Sequence, residues 1–358
     1  METATHTITT LSPQDTPEVI LRELGTQRSS RWLMDREPYR PQVTVLDSAD
    51  GKSAALTSGR PNTQYTKVVD LWASTDAAGE KLLDHLIETS KARGDAGMKW
   101  EVLHGDSLPA FAASRGFKQL HSPIASAAGT EGTDGFALWH QSWPHPQLAY
   151  YGQTTEFTCG PVAAMTTMGA LGLNPFGAEG APAARERELR FWRLATNFPA
   201  CEPIGLAVAM HDALEPVTDA GVEVYLDTDG PILIETYKGE DRAYRELLQS
   251  ESRLAASTRE IAVRNSHVEV AEILTRVSAG DYALLLIDEV IMHAASVPHW
   301  VVAHAVQGDT VLLHDPWVTA DKGETWVDCH DLPVSAEVLD QLVAYGEPSY
   351  RGVIFVSR

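Results

Sequence analysis

Residues 150–172 read YYGQTTEFTCGPVAAMTTMGALG, and the fold turns on the change of character inside this stretch. Polar and turn-forming residues give way at Cys159 to small and apolar residues, the composition of a buried helix. Gly160 and Pro161 follow at once. A proline is tolerated in a first helical turn, because the N–H it lacks has no partner there anyway. Cys159 is therefore expected to open a helix, where the partial positive charge of the helix end favours thiolate. Gln153, six residues earlier, offers a side-chain amide donor. The two read as a nucleophile and an oxyanion donor.

A cysteine nucleophile also needs a base and a group that orients the base. The late part of the chain carries candidates in HWVVAHAV (299–306) and in His314-Asp315-Pro316-Trp317. Strand alternation puts His299 on one face and His304 on the other. The turn between the two strands decides which histidine shares a face with Asp315. A three-residue loop, Gln307-Gly308-Asp309, pairs Val301 with Asp315 and selects His299, whereas a two-residue loop favours His304.

Gln153 at minus six from Cys-Gly-Pro, then His-Trp-Val-Val, then His-Asp-Pro-Trp, resembles the papain-like, bacteriocin-processing (double-glycine leader) peptidase family. The likeness is to its stand-alone, peptidase-like bacterial branch. ELRFWRLAT (188–196) and CEPIGLAVA (201–209) extend it over roughly residues 146–358. The resemblance implies a papain-like α+β domain, with the family order Gln, Cys, His, Asp falling on Gln153, Cys159, His299 and Asp315. The upstream part is similar to a GNAT acetyltransferase: strands, a helix, then a strand and a helix ending in Arg115-Gly116-Phe117. That fold binds acetyl-CoA with a glycine-rich, often basic turn before its central helix. Here the turn is STDAAGEKLL (74–83), with Asp76 and Glu80 and a single glycine, Gly79. Few N–H groups can approach phosphate and two acids repel it, so this domain is expected to be degenerate, structural or substrate-presenting, and to bind no cofactor.

The elements fall into two groups around WPHPQ (143–147), whose prolines interrupt helix and strand alike. Residues 1–145 form the expected GNAT-like α/β domain. In it, VTVLDS and SAALTSG make a hairpin over Asp50-Gly51, TKVVDLWA a third strand, GEKLLDHLIETSKAR an amphipathic helix, and MKWEVLH and GFALWHQ further strands. Residues 146–358 form the expected peptidase domain. Its helices are read at Cys159, over ARERELRFWRLATNF and CEPIGLAVAMHDAL, and through most of 247–277. Its strands are VEVYLD, DYALLLID, HWVVAHAV, TVLLHDPW and YRGVIFVSR.

With 358 residues, 44% of them hydrophobic, the chain can bury a sizeable core. A formal net charge of -21 argues against nucleic acid and against an anionic membrane surface as partners. It suits a neutral or cationic substrate, here a peptide or small amide. Three scattered cysteines, Cys159, Cys201 and Cys329, make neither a disulfide framework nor a zinc finger. Cys201 and Cys329 read as buried and unreactive. A metal site would have to recruit His293, His299, His304 and His314, and without HExxH or paired-cysteine spacing no metal is expected. His304 and His314 read as structural. METATHTITTLSPQD has neither the basic start nor the apolar core of a signal peptide, and no run is long enough to cross a bilayer. The expectation is a cytoplasmic cysteine peptidase or amidase working through a thioester. The alternatives are an acyltransferase using the same thioester, a non-catalytic peptide-binding protein, and an acetyltransferase using the first domain.

Overall fold

The computed structural model describes residues 6–143, 145–196 and 198–357. The fold is α+β, built on two seven-stranded sheets. The first sheet contains β1 (Thr7–Leu11), β2 (Gln42–Ser48), β3 (Gly51–Ser58), β4 (Tyr65–Ala73), β5 (Gly97–Leu103), β6 (Lys118–Gln119) and β7 (Thr133–Trp139), in the order β1-β2-β3-β4-β5-β7-β6. Its helices are α1 (Glu18–Trp32), α2 (Asp76–Arg93) and α3 (Ala110–Ser114).

The β2–β3 hairpin forms as expected, but Ser48 pairs with Gly51, so its loop is Ala49-Asp50 rather than Asp50-Gly51. The threonine-rich start contributes an unforeseen edge strand, β1 on β2. β4 and β5 are parallel and pair from Tyr65–Gly97 to Val68–Trp100. Leu82, Leu83, Leu86 and Ile87 of α2 are buried, the stripe expected from their spacing. The helix begins three residues before the expected Gly79, because the Thr75 side chain caps it at Ala78 N–H. Gly79 serves packing: a Cβ there would lie 2.9 Å from Phe111.

Helices α4 (Cys159–Ala170), α5 (Ala181–Ala195) and α6 (Pro203–Leu214) come next in the chain. After them come β8 (Val222–Leu226), α7 (Gly239–Thr258), β9 (Ala262–Arg264), α8 (Val270–Ser278) and β10 (Tyr282–Asp288). The chain ends through α9 (Val290–His293), β11 (Pro298–Gln307), β12 (Thr310–His314), α10 (Trp326–Cys329), β13 (Leu332–Ser335), α11 (Ala336–Leu342) and β14 (Gly352–Val356). The second sheet runs β13-β12-β11-β10-β14-β8-β9. The helical reading of 247–277 is interrupted, since β9 pairs in parallel with β8 between α7 and α8. Helix α4 is buried from Cys159 to Met168. At Gly160 a Cβ would meet Cys201, Leu206 and Trp300 at 3.1–3.2 Å, so the missing side chain lets α4 sit against α6 and β11.

Segment 315–331 of the second sheet's connections lies on the first sheet, joined by buried ionic groups. Lys67 Nζ donates to Glu101 Oε2 at 2.7 Å and also to Asp328. Tyr65 donates to Asp328 Oδ1 at 2.9 Å. Lys99 Nζ donates to the carbonyls of Val327, Asp328 and His330 at 2.8, 3.0 and 2.6 Å. Arg60, in the loop between β3 and β4, reaches Asp315 and Glu324. Charges this deeply buried persist only when paired, so the two sheets are fastened through these contacts.

Candidate active site

The β11–β12 turn resolves the choice between the two histidines. Gln307 pairs with Thr310, leaving the two-residue loop Gly308-Asp309. That loop alone favours His304. However, the register shifts between Ala303 and Ala305, so His304 is an extra residue and Val302 pairs with His314. Continued one step, this register sets Val301 opposite Asp315, the pairing a three-residue loop would have made. His299 Nε2 lies 2.7 Å from Asp315 Oδ1. The β-bulge at His304 therefore brings His299 and Asp315 together.

Asp315 is completely buried and held from every side. Its Oδ1 also accepts from the Trp317 N–H at 2.8 Å, and its carbonyl accepts from Tyr150 Oη at 2.9 Å. Its Oδ2 accepts from Arg60 Nη1. The Arg60 fork is fully used: Nε donates to Glu324 Oε1 at 2.6 Å, and Nη2 to Trp317 O, Cys329 Sγ and Glu324 Oε2 at 2.9, 3.1 and 3.2 Å. Burial alone would raise the Asp315 pKa. The Arg60 guanidinium and His299 outweigh it and hold the carboxyl far below the usual range. Arg60 has no signature in the sequence, because its partner lies 255 residues away.

His299 is buried, which by itself lowers an imidazole pKa. The carboxylates of Glu289 and Asp315 reverse that, and with the Asp315 hydrogen bond and a side-chain interaction with Cys159 they hold it well above the ordinary value. Glu289, one residue past β10, was not foreseen either: its Oε1 stands 3.4 Å from His299 Nδ1. Burial pushes the Glu289 carboxyl up, with His299 opposing. Since Nε2 is committed to Asp315, Nδ1 is the nitrogen left for Glu289 and Cys159. Glu289, His299 and Asp315 could together hold an ion, but the Arg60 cation on Asp315 disfavours one.

Cys159 is buried at the amino end of α4. The loop before it hangs on Glu188 of α5, a fully buried carboxylate. Glu188 accepts from Tyr151 Oη at 2.9 Å, Thr154 N–H at 2.9 Å, Thr154 Oγ1 at 2.7 Å and Thr158 Oγ1. Within that loop the Gln153 N–H donates to Pro316 O at 2.8 Å, tying it to the residue after Asp315. Gln153 Nε2 donates to Thr155 O at 2.8 Å, leaving its second hydrogen free, while Oε1 is buried without a partner. Cys201 and Cys329 are completely buried, and burial pushes both thiols up, in keeping with their reading as unreactive. His293 bonds Tyr39 Oη at 2.8 Å, and His304 and His314 face Asp331.

Glu188→Ala would leave Tyr151 Oη and the N–H and Oγ1 of Thr154 without their acceptors, while Thr158 Oγ1 keeps Thr155 O. At about 1–3 kcal/mol per unsatisfied group, partly relieved by relaxation, a loss of about 3 kcal/mol in urea unfolding is expected.

The pH dependence follows from the shifts. Asp315, with its folded pKa depressed, contributes stability present above its unfolded value of 3.8 and lost as pH falls through the folded value. His299, with its folded pKa raised, contributes stability fully present below 6.5 and lost as pH rises through the folded value. Glu289, raised from 4.5, adds to the alkaline decline. Calorimetry from pH 4 to 9 should find a decline on the alkaline side that shrinks in His299→Gln.

The fold thus sets a buried cysteine at a helix start, a histidine carrying a carboxylate on its far nitrogen, and a glutamine six residues before the cysteine whose N–H is tied to the residue after that carboxylate. The chain belongs to the Peptidase_C39 like family, whose model matches residues 148–357. No curated protein matches the chain. Among solved structures, the chain is similar to the ribosomal-protein-S18-alanine N-acetyltransferase from Escherichia coli, at 18% identity and a TM-score of 0.30, over 39% of this chain and 97% of that one. It is also similar to a probable acetyltransferase from Staphylococcus epidermidis, at 14% identity and a TM-score of 0.29, over 38% of this chain and all of that one. No helix among the described residues is long and apolar enough to cross a membrane.

Proposed function

We propose that the protein is a cysteine-dependent hydrolase of peptide or amide bonds, with Cys159 as nucleophile, His299 as base and acid, and Asp315 as orienter. The observation that carries this reading is the Asp315–His299 hydrogen bond on Nε2, with Cys159 acting on the same imidazole. A cationic His299 is the partner a thiolate needs. The thiolate attacks the substrate carbonyl carbon, forming a C–S bond, and the carbonyl π-electrons move to oxygen. The free hydrogen of Gln153 Nε2 and the Cys159 N–H stabilise the oxyanion. As the tetrahedral adduct collapses, the C–N bond breaks and His299 gives its proton to the leaving amine. Water then attacks the thioester, losing a proton to His299; the C–S bond breaks, its electron pair returns to sulfur as thiolate, and the acid leaves.

Two cavities support an extended substrate. One of about 450 Å³ is bordered by Gln153, Thr155, Arg185 and Trp317. Another of about 580 Å³ is bordered by Pro298, next to His299, and by Glu235, Asp288 and Glu347. Those three acids favour a basic group on the substrate. The part within residues 1–145 serves this site as a structural support, through Arg60.

The test is intact-mass trapping with activated peptide esters and amides. Acyl adducts on Cys159, absent in Cys159→Ala and longer-lived in His299→Ala, are expected. Turnover that survives in Cys159→Ala would remove the proposal.

A further inference from the structure

Behind the β11–β12 hairpin, four histidines converge on one carboxylate. His145 Nε2 and His330 Nδ1 lie 3.0 and 3.2 Å from Asp331 Oδ2, and His304 Nε2 and His314 Nδ1 lie 3.1 and 3.5 Å from Oδ1. His304, His314, His330 and Asp331 are all more than nine-tenths buried. Among the described residues only the His145 side chain makes an aligned hydrogen bond to the carboxylate, and its other nitrogen meets Trp143 O at 2.8 Å. Among the described residues, both nitrogens of His304, both of His330, Nε2 of His314 and Oδ1 of Asp331 have no hydrogen-bond partner. The one partner of His314 Nδ1 is the Asp331 N–H, at 3.4 Å. Asp331 adopts a left-handed backbone with φ of 47° to present its carboxylate here.

Buried polar atoms are rarely left unpaired, and a cluster of them asks for an ion or water between them. The spacing favours an ion. In a tetrahedral zinc site with bonds of about 2.0–2.1 Å, ligand atoms stand about 3.3 Å apart. The 3.1 and 3.5 Å from Asp331 Oδ1 to the two imidazole nitrogens bracket that edge. The ligand atoms of His304, His314 and Asp331 all lie within 4.8 Å of one another. Approaches this short without hydrogen-bond alignment are what ligands aimed at a common centre give.

We propose that His304, His314 and Asp331 form a structural zinc site, with His330 beside it on the second carboxylate oxygen. His145 holds the second carboxylate oxygen, as outer partners of metal ligands do. Lys99 is the nearby cation that opposes an ion. It is held on three carbonyls. His304 is the bulged residue of β11 and His314 immediately precedes Asp315, so a bound ion would pin the register that joins His299 to Asp315. The site does not depend on the thiol chemistry.

The test uses the full chain as Cys159→Ser, so that the site thiol cannot ligate, stripped with dipicolinate and titrated with Co²⁺ and then Zn²⁺. One metal per chain, a tetrahedral cobalt band and a raised Tm are expected. X-ray absorption should find only nitrogen and oxygen ligands, with at least two imidazoles. His314→Gln and Asp331→Asn should lose the band. Should either fail to fold, the ligand count of the parent decides. No uptake of either metal, a sulfur ligand, or unchanged uptake in folded His314→Gln would overturn the site and leave water as its occupant.

Discussion

Arg60→Met is expected to destabilise the protein by about 3–5 kcal/mol, the cost of removing one partner from a buried ion pair. Methionine fills much of the space but leaves Asp315 and Glu324 as buried, uncompensated carboxylates, both nearly inaccessible to solvent. The effect should reach the site as well. Arg60 is the largest influence holding the Asp315 carboxyl low, so without it Asp315 takes up a proton at higher pH. The acid limb of Cys159 alkylation should then move up in pH, a change that a purely structural residue would not produce. Arg60→Lys keeps the charge, but a single ammonium cannot reproduce the planar fork that serves Asp315, Glu324 and Trp317 O together. An intermediate loss is expected. Urea unfolding and the pH profile of alkylation read both effects. A wild-type midpoint with an unmoved acid limb would show that Arg60 does not position Asp315.

Asp315→Asn is expected to lower turnover by about 10⁴-fold, the effect of the same substitution in a Ser-His-Asp enzyme. The reason lies in the tautomer. Asp315 accepts from Nε2, which leaves the Nδ1 lone pair for the thiol proton. An asparagine that turns its amide toward Nε2 makes that nitrogen an acceptor and moves the hydrogen to Nδ1. His299 then faces Cys159 as a donor and cannot serve as base. Alkylation of Cys159 near neutral pH should slow in parallel. Activity within tenfold of wild type would mean that Asp315 is not the orienter.

Cys159 and Gln153 were legible because the evidence for them is local: a change of composition, a glycine and proline at a helix start, and a spacing of six. Strand spacing left His299 and His304 as alternative partners of Asp315, and only the family resemblance chose His299. The loop that forms has two residues, which points to His304, and the bulge at that same residue reverses the outcome. No pattern in the sequence announces that bulge. Arg60, Glu188 and Glu289 were invisible for a related reason. Each is an ordinary polar residue in its own segment, and its role arises from partners brought up by the fold, 255 residues away for Arg60. The histidines show the same limit. Grouping His293, His299, His304 and His314 by residue type mixed three environments: His293 on Tyr39, His299 on Asp315, and His304 and His314 on Asp331. The first sheet was legible in its hairpin and central helix. Its edge strand β1 was not, since TITTL is largely polar and exposed.

The most direct test of the thiol site is the rate of iodoacetamide labelling across pH, with each cysteine followed by mass spectrometry, in wild type and His299→Ala. Selective modification of Cys159 near neutral pH, with that selectivity lost in His299→Ala, is the expected result. Equal and slow labelling of Cys159, Cys201 and Cys329 in both proteins would contradict a thiolate–imidazolium pair at this site.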